Sequence, residues 1–227
     1  MLEQNRLVCV NLLGFDPAAA VILTKSCADR FGARVTAREH IGGWSVLECE
    51  ASAASSAFAD EVCALFAPKA FIGDPFARAI ALLKKRGETI SFAESCTGGL
   101  LAAHFTAIAG ASEVFDGSFV TYSNRLKTSW LGVQQETLLS FGAVSAECVE
   151  QMALGALKRS GANYALSISG VAGPGGGGEK KPVGTVFVGY ACDRDETFAE
   201  KLFLKGSRSR VRKQAVFHAL RLFLSRS

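Results

Sequence analysis

Three side chains able to act as nucleophiles, Ser95, Cys96 and Thr97, follow one another in the stretch ESCTGG at residues 94–99. An acid, Glu94, precedes them, and two glycines, Gly98 and Gly99, follow. The β-type run TISFA leads in and the helical run LLAAHFTAIA leads out. Strand-to-helix turns of this kind lie at the sheet edge where α/β proteins bind ligands. The start of the helix offers free N–H groups and the positive end of its dipole. Glycines let backbone approach a ligand closely. Such donors suit a phosphate or the oxyanion of an acyl-transfer intermediate. Adjacent side chains diverge, so only one of the three nucleophiles is presented to a substrate. The plainer alternative is a connecting turn in which Ser95 or Thr97 caps the helix and Cys96 belongs to the core.

A serine nucleophile requires a base. Three histidines are present. His104 lies nine residues beyond Ser95, roughly 13 Å along a helix at 1.5 Å per residue. His218 falls on or near the apolar side of the last helical run, and His40 belongs to a separate N-terminal unit. A Ser-His-Asp arrangement is therefore not supported. Lysine is the other option. In FVTYSNRLK, at residues 119–127, Tyr122 stands at a strand end, Ser123 or Asn124 can cap a helix, and Lys127 falls in its first turn. A lysine at the positive end of a helix, if also buried, has its ammonium disfavoured, leaving an amine able to take a serine proton. Tyr122 is then placed to relay a proton or hold a leaving group. Taken singly, a surface lysine and a core tyrosine are the plainer readings.

Two more segments fit a ligand. SISGVAGPGGGGEKKPVG, at residues 167–184, fails the spacing of a nucleotide-binding P-loop, because Glu179 follows Gly178 where Lys-Ser/Thr is required. Its SGVAGP part lies at a strand end and is the better ligand contact, while residues 175–181 read as a flexible connection. KGSRSRVRK, at residues 205–213, puts arginines at a helix start, a phosphate-binding arrangement. Arg208 and Arg212 are four apart and share a face.

The elements that must position these residues form a regular series. Residues 75–87, 100–109, 123–132, 145–161 and 207–224 read as helices; residues 89–93, 117–122, 164–170, 183–191 and 197–204 read as strands. Strands alternating with helices give an α/β sandwich around a mostly buried sheet. Residues 1–74 read separately as β-α-β-β-α-β, a small two-layer α+β domain without a phosphate loop or an acid/base cluster. Asp16 and Pro17 open its first helix, and Gly42-Gly43 joins a hairpin. The expected division is 1–74 and 75–227.

Composition bounds the possibilities. The chain has 227 residues, 49% of them hydrophobic, and no run approaches a membrane span. The first residues lack a cleavable signal pattern, so a cytoplasmic protein is expected. Seven cysteines, an odd number without a CxxC pair, indicate neither a disulfide framework nor a zinc site. The net charge of +4 is uneven, with eight Lys/Arg and no acid after Glu200. That tail suits either phosphate or a solvated helix face.

AESCTGGLLA, FVTYSNRLKTSWLGV, GAVSAE, SISGVAGPGGGGEKKPVGTVFVGYA and the GSRSRVRKQA helix, in this order, resemble the CinA C-terminal domain family, also called nicotinamide-nucleotide amidohydrolases. The resemblance covers roughly residues 75–225. It implies an α/β/α sandwich with a mixed sheet and a deamidase converting nicotinamide mononucleotide to nicotinic acid mononucleotide and ammonia. It implies a Ser/Tyr/Lys site, carried over onto Ser95, Tyr122 and Lys127, and so favours Ser95 over Cys96. Substrate contacts are expected from Glu94, Cys96, Thr97, Gly98, Gly99, Ser145, Ser169, Gly170, Ala172, Gly173, Arg208 and Arg212. No metal or organic cofactor is expected, and a homo-oligomer, a dimer first, is. Members commonly carry acids in a Gly-Asp-Arg-Asp pattern where this chain has Ser207 and Ser209. That departure supports a second function class, a nucleotide-binding or interaction module of the same fold without turnover. A nucleic-acid partner is not expected, because no stacking-aromatic motif or DNA-reading helix accompanies the basic tail. Residues 1–74 are similar in element order to the small linking domain of longer relatives.

Overall fold

The computed structural model of the protein describes residues 7–194 and 196–226. Two compact units emerge, one of residues 7–78 with 224–226 and one spanning Ala79–Phe223.

In the first unit, strands β1 (Leu7–Leu13), β2 (Thr36–Ile41) and β3 (Trp44–Glu50) and the short β4 (Ala70–Ile72) form an antiparallel sheet in the order β2-β3-β1-β4. Helix α1 (Pro17–Phe31) starts where the Asp16 carboxylate accepts from the Ala19 N–H. Helix α2 (Ala53–Leu65) starts in a reciprocal capping box between Ser52 and Ser55. Val10, Leu12 and Leu47 from the sheet meet Ala20, Phe58 and Val62 from the helices in one buried core. This is the two-layer β-α-β-β-α-β arrangement.

The second unit is an α/β layer built on a mixed sheet. Helix α3 (Pro75–Arg86) leads into β5 (Ile90–Glu94), α4 (Leu100–Thr106), a 3-10 turn (Ala111–Glu113), β6 (Phe115–Val120), α5 (Asn124–Leu131), α6 (Gln135–Ser140) and α7 (Ala146–Ser160). Strands β7 (Tyr164–Gly170), β8 (Thr185–Cys192) and β9 (Thr197–Phe203) and helix α8 (Arg208–Arg226) complete it. The sheet order is β6-β5-β7-β8-β9, with β6, β5 and β7 parallel and β8 and β9 antiparallel additions. Side chains alternate across a strand, and here each face has its own cover. Ala93 and Ala165 pack on Cys148, Met152 and Ala156 of α7. Phe92 stacks edge-on with Phe105 of α4, and Tyr164 with Phe223 of α8.

Beyond shifts of one or two residues at other element ends, three differences from the sequence reading stand out. Helix α4 stops at Thr106, not residue 109, and Thr106 turns its hydroxyl back onto the Ala102 carbonyl, a local bond that competes with helix continuation. Strand β6 begins at Phe115, which pairs with Ile90, and an irregularity before the Ser91–Gly117 pair leaves Asp116 without a register partner in β5. Helix α6 escapes the sequence reading; it is six residues long and its Gln134 cap makes no side-chain hydrogen bond.

Helix α5 is held close to α7 at Gly155, where an added Cβ would fall on the carbonyl of Leu131. Gly155→Ala is therefore expected to destabilise the fold by about 1–3 kcal/mol through overpacking. That loss outweighs the gain in helix propensity of about 1 kcal/mol. A lower urea midpoint at unchanged slope would show it; a raised midpoint would contradict the close packing.

Candidate active site

Glu94 ends β5 fully buried, paired with Val120 on one side and Ile168 on the other. Its carboxylate accepts from the N–H groups of Leu101 and Ala102, both at 3.0 Å, and from the Ser118 hydroxyl at 3.1 Å. A carboxylate there satisfies two orphan donors of the first turn of α4 and opposes its dipole. The sequence reading places Glu94 among substrate contacts; the structure gives it a sealed position beneath the turn.

The turn itself is fixed by backbone. The Ser95 N–H donates to the Ile168 carbonyl at 2.9 Å, and the Gly98 N–H donates back to the Ser95 carbonyl at 3.1 Å. Gly98 and Gly99 hold φ of +57° and +91°, values open to glycine at no steric cost. Among the described residues, the N–H groups of Cys96, Thr97 and Gly99 have no hydrogen-bond partner. Thr97 is fully buried and its hydroxyl also has no partner among the described residues.

Lys127 reaches this turn from α5. Ser123 caps that helix by accepting from the Leu126 N–H, Lys127 lies in its first turn, and Gly132 closes it. The side chain runs inward: Lys127 is 1% exposed, and its Nζ donates to the Thr121 carbonyl at 2.7 Å and lies 2.9 Å from Ser95 Oγ. No carboxylate pairs with it among the described residues. Burial pulls the Lys127 amine below the ordinary lysine value, because desolvation penalises the charged form. Hydrogen bonds to two neutral oxygens do not restore an ion-pair partner. The two nearby thiols do not supply one either. Burial pushes Cys96 and Cys148 each up to about 11, so both remain protonated near neutral pH.

The other expected residues separate into two groups. Arg208 donates to the Gly173 carbonyl at 2.8 Å and to the Tyr122 hydroxyl at 3.1 Å, tying SGVAGP to the chain just ahead of α5. Arg212 donates from Nε to the Cys96 carbonyl at 3.1 Å and from its terminal nitrogen to the Thr97 carbonyl. Tyr122 is largely exposed, and no hydrogen bond joins its hydroxyl to Ser95 or Lys127 among the described residues. Ser145 caps α7 through the Cys148 N–H, and its hydroxyl donates to the Gly142 carbonyl. Ser169 is buried and donates to the Ala143 carbonyl. Ala172 is buried as well, and Gly170 lies against Thr185 and Val186, with no room there for a Cβ. Ser207, one of the two serines at the start of α8, accepts from the Arg210 N–H.

Sequence reasoning missed Thr121, Ser118 and Ile168. Two of them act through main-chain carbonyls, which leave no mark on residue type. Ser118 carried a signal only in retrospect, as a hydroxyl beside the strand that ends in Glu94.

The sign of the Lys127 effect on stability can be tested. Below the folded-state pKa both states carry the charge, and the folded state bears the whole burial penalty. As the pH rises past the ordinary lysine range near 10.5, the unfolded chain also loses its proton and the penalty vanishes. Lys127→Met is expected to leave the neutral-pH melting temperature unchanged or raised, with any gain shrinking toward alkaline pH. A large loss of stability at neutral pH would show that the amine is a structural tie.

The profile of the CinA C-terminal domain matches residues 75–226. The nicotinamide-nucleotide amidohydrolase PncC of Escherichia coli (strain K12) is 52% identical over 138 residues, 61% of this chain and 84% of that one. A putative competence-damage inducible protein of Thermoanaerobacter sp. (strain X514) is 48% identical over 141 residues, 62% of this chain and 34% of its own. The crystal structure of competence/damage inducible protein CihA from Agrobacterium tumefaciens superposes with a TM-score of 0.65 at 43% identity, covering 66% of this chain and 92% of that one. With two thirds of its length matched by the profile, the chain belongs to the CinA C-terminal domain family.

Proposed function

We propose that the protein is an amidohydrolase that converts nicotinamide mononucleotide to nicotinic acid mononucleotide and ammonia, with Ser95 as nucleophile and Lys127 as its base. The observation that carries this reading is the buried Lys127 amine, lowered in pKa and 2.9 Å from Ser95 Oγ. Similarity to relatives bearing the amidohydrolase name supports the substrate.

The steps follow from the groups present. With Lys127 neutral, the Ser95 hydroxyl donates to its amine. Ser95 Oγ attacks the carboxamide carbon as its proton passes to Lys127. Negative charge builds on the amide oxygen, where the N–H groups of Cys96 and Gly99, without partners among the described residues, offer donors. The Lys127 ammonium then returns its proton to the departing nitrogen, ammonia leaves, and a nicotinoyl ester remains on Ser95. Water attacks that ester, gives its proton to Lys127, and the proton passes back to Ser95 as the acid is released. Cys96 is the poorer candidate, because a thiol held at about 11 supplies almost no thiolate at neutral pH. Tyr122, held by Arg208, is assigned the role of assisting the leaving group on the family resemblance alone. Arg208 and the Gly170–Gly173 strand end fit the ribose and phosphate. The same reading makes the protein cytoplasmic, in keeping with seven free cysteines, and a homo-oligomer with the dimer as first expectation.

Ammonia release from nicotinamide mononucleotide tests this reading. Ser95→Ala and Lys127→Ala are each expected to lower kcat by at least about 1,000-fold with the fold intact, as removal of a nucleophile or its base does. Tyr122→Phe is expected to cost far less. Ligand-dependent thermal stabilisation without product, in a folded wild type, would instead favour a binding module of the same fold.

The pH profile gives a second test. Lys127 works as the neutral amine, so kcat/KM should rise with pH along a limb whose midpoint lies below 10.5. Activity falling over that range would contradict a lysine base.

A further inference from the structure

Arg212 stands 116 and 115 residues from the two carbonyls it grips, Cys96 and Thr97. These carbonyls belong to the two residues directly after Ser95. Their acceptors are met by Nε and one terminal nitrogen, the same guanidinium edge that holds a carboxylate in a fork. A trans peptide sets each N–H opposite the preceding carbonyl. Holding the Cys96 carbonyl therefore aims the Thr97 N–H away from the guanidinium, and holding the Thr97 carbonyl does the same for the Gly98 N–H. The Gly98 N–H closes onto the Ser95 carbonyl, which turns the Cys96 N–H of that peptide to the opposite side, and the Cys96 N–H has no partner among the described residues. The turn has two glycines at positive φ, so its peptide planes are not set by local sterics alone. A Cβ on Gly98 would sit 3.7 Å from the Arg212 terminal nitrogen, so the guanidinium packs directly under the turn.

We propose that Arg212 is a positioning residue of the Ser95 turn, acting through the two carbonyls, and through the Gly98 N–H that closes onto the Ser95 carbonyl, to aim the Cys96 N–H as an oxyanion donor, and not as a ligand of the substrate phosphate. This rests on the amidohydrolase reading given above. A positioning role and a phosphate role differ in what they do to kinetics. A displaced donor lowers transition-state stabilisation whatever the distal part of the substrate, whereas a lost phosphate contact weakens binding of phosphorylated substrate only.

The test uses the full chain with Arg212→Gln and Arg212→Lys, folding checked by circular dichroism. Ammonia release is measured from nicotinamide mononucleotide and from nicotinamide riboside, which lacks the phosphate. Arg212→Gln is expected to lower kcat about 100-fold, the scale of a misplaced catalytic group, with KM within about threefold. The factor should be the same for both substrates. Arg212→Lys should recover part of kcat, since one ammonium can hold one of the two carbonyls. A rise in KM with kcat kept, or a loss on the mononucleotide alone, would overturn the proposal. If Arg212→Gln fails to fold, the comparison is made with Arg212→Lys, for which equal kcat losses on both substrates support the proposal and a mononucleotide-specific KM effect overturns it. If the wild type releases no ammonia from either compound, the amidohydrolase reading fails separately. The rate of Ser95 labelling by a fluorophosphonate, read by mass spectrometry, then carries the test. Slower labelling in Arg212→Gln supports the turn-setting role, and an unchanged rate overturns it.

Discussion

A lysine amine buried beside a serine hydroxyl, with no carboxylate among the described residues to balance it, organises the second unit. Water would favour the ammonium; at 1% exposure Lys127 has little of it. The Thr121 carbonyl and Ser95 Oγ satisfy the polar atom without paying back the ionisation cost. The surroundings keep this balance. Cys96 and Cys148, the ionisable groups whose charge would raise the amine, are themselves held neutral by burial. A chain that needed Lys127 only for stability would gain by replacing it with an apolar residue. Its burial is an energetic cost that makes sense as a feature of chemistry.

Three elements converge to hold that arrangement. Strand β5 delivers Ser95, whose N–H continues the ladder to β7. Helix α5 delivers Lys127 and is seated against α7 at a glycine. Helix α8 supplies arginines that bind main-chain carbonyls of the turn and of the SGVAGP strand end. The basic C-terminal region is thus partly consumed inside the molecule: Arg208 and Arg212 hold the turn and the loop, and Arg221 forms an ion pair with Glu200. Glu94 contributes from below, converting the first turn of α4 from an open anion site into a closed cap. Among the described residues, the donors of the turn left over are those of Cys96, Thr97 and Gly99, beside Ser95, and Thr97 is itself fully buried.

Much of this was legible in the residues. Periodicity, capping residues and glycine stops located most helices and strands, since Asp16, Ser123, Ser145, Gly132 and Gly161 each do locally what their types dictate. The absence of a usable histidine pointed to lysine, and structure brings Lys127 to Ser95. What could not be read depends on tertiary partners. Glu94 looked like a substrate contact because its donors, on α4 and β6, are set by how those elements return to the strand end. Arg212 shares a face with Arg208 in the sequence pattern, yet its acceptors lie more than a hundred residues upstream. Helix α6 lacks a capping side chain, so no local signal marks it.

The most direct test is the ionisation state of Lys127 itself. Protein labelled with carbon-13 at the lysine Cε can be titrated by NMR, with Lys127 assigned by its loss in Lys127→Met. The account predicts a Cε shift of a neutral amine for Lys127 at pH values where the other lysines remain ammonium, and a midpoint below 10.5. An ammonium shift that persists into the ordinary lysine range would contradict it, because a charged amine cannot take the Ser95 proton.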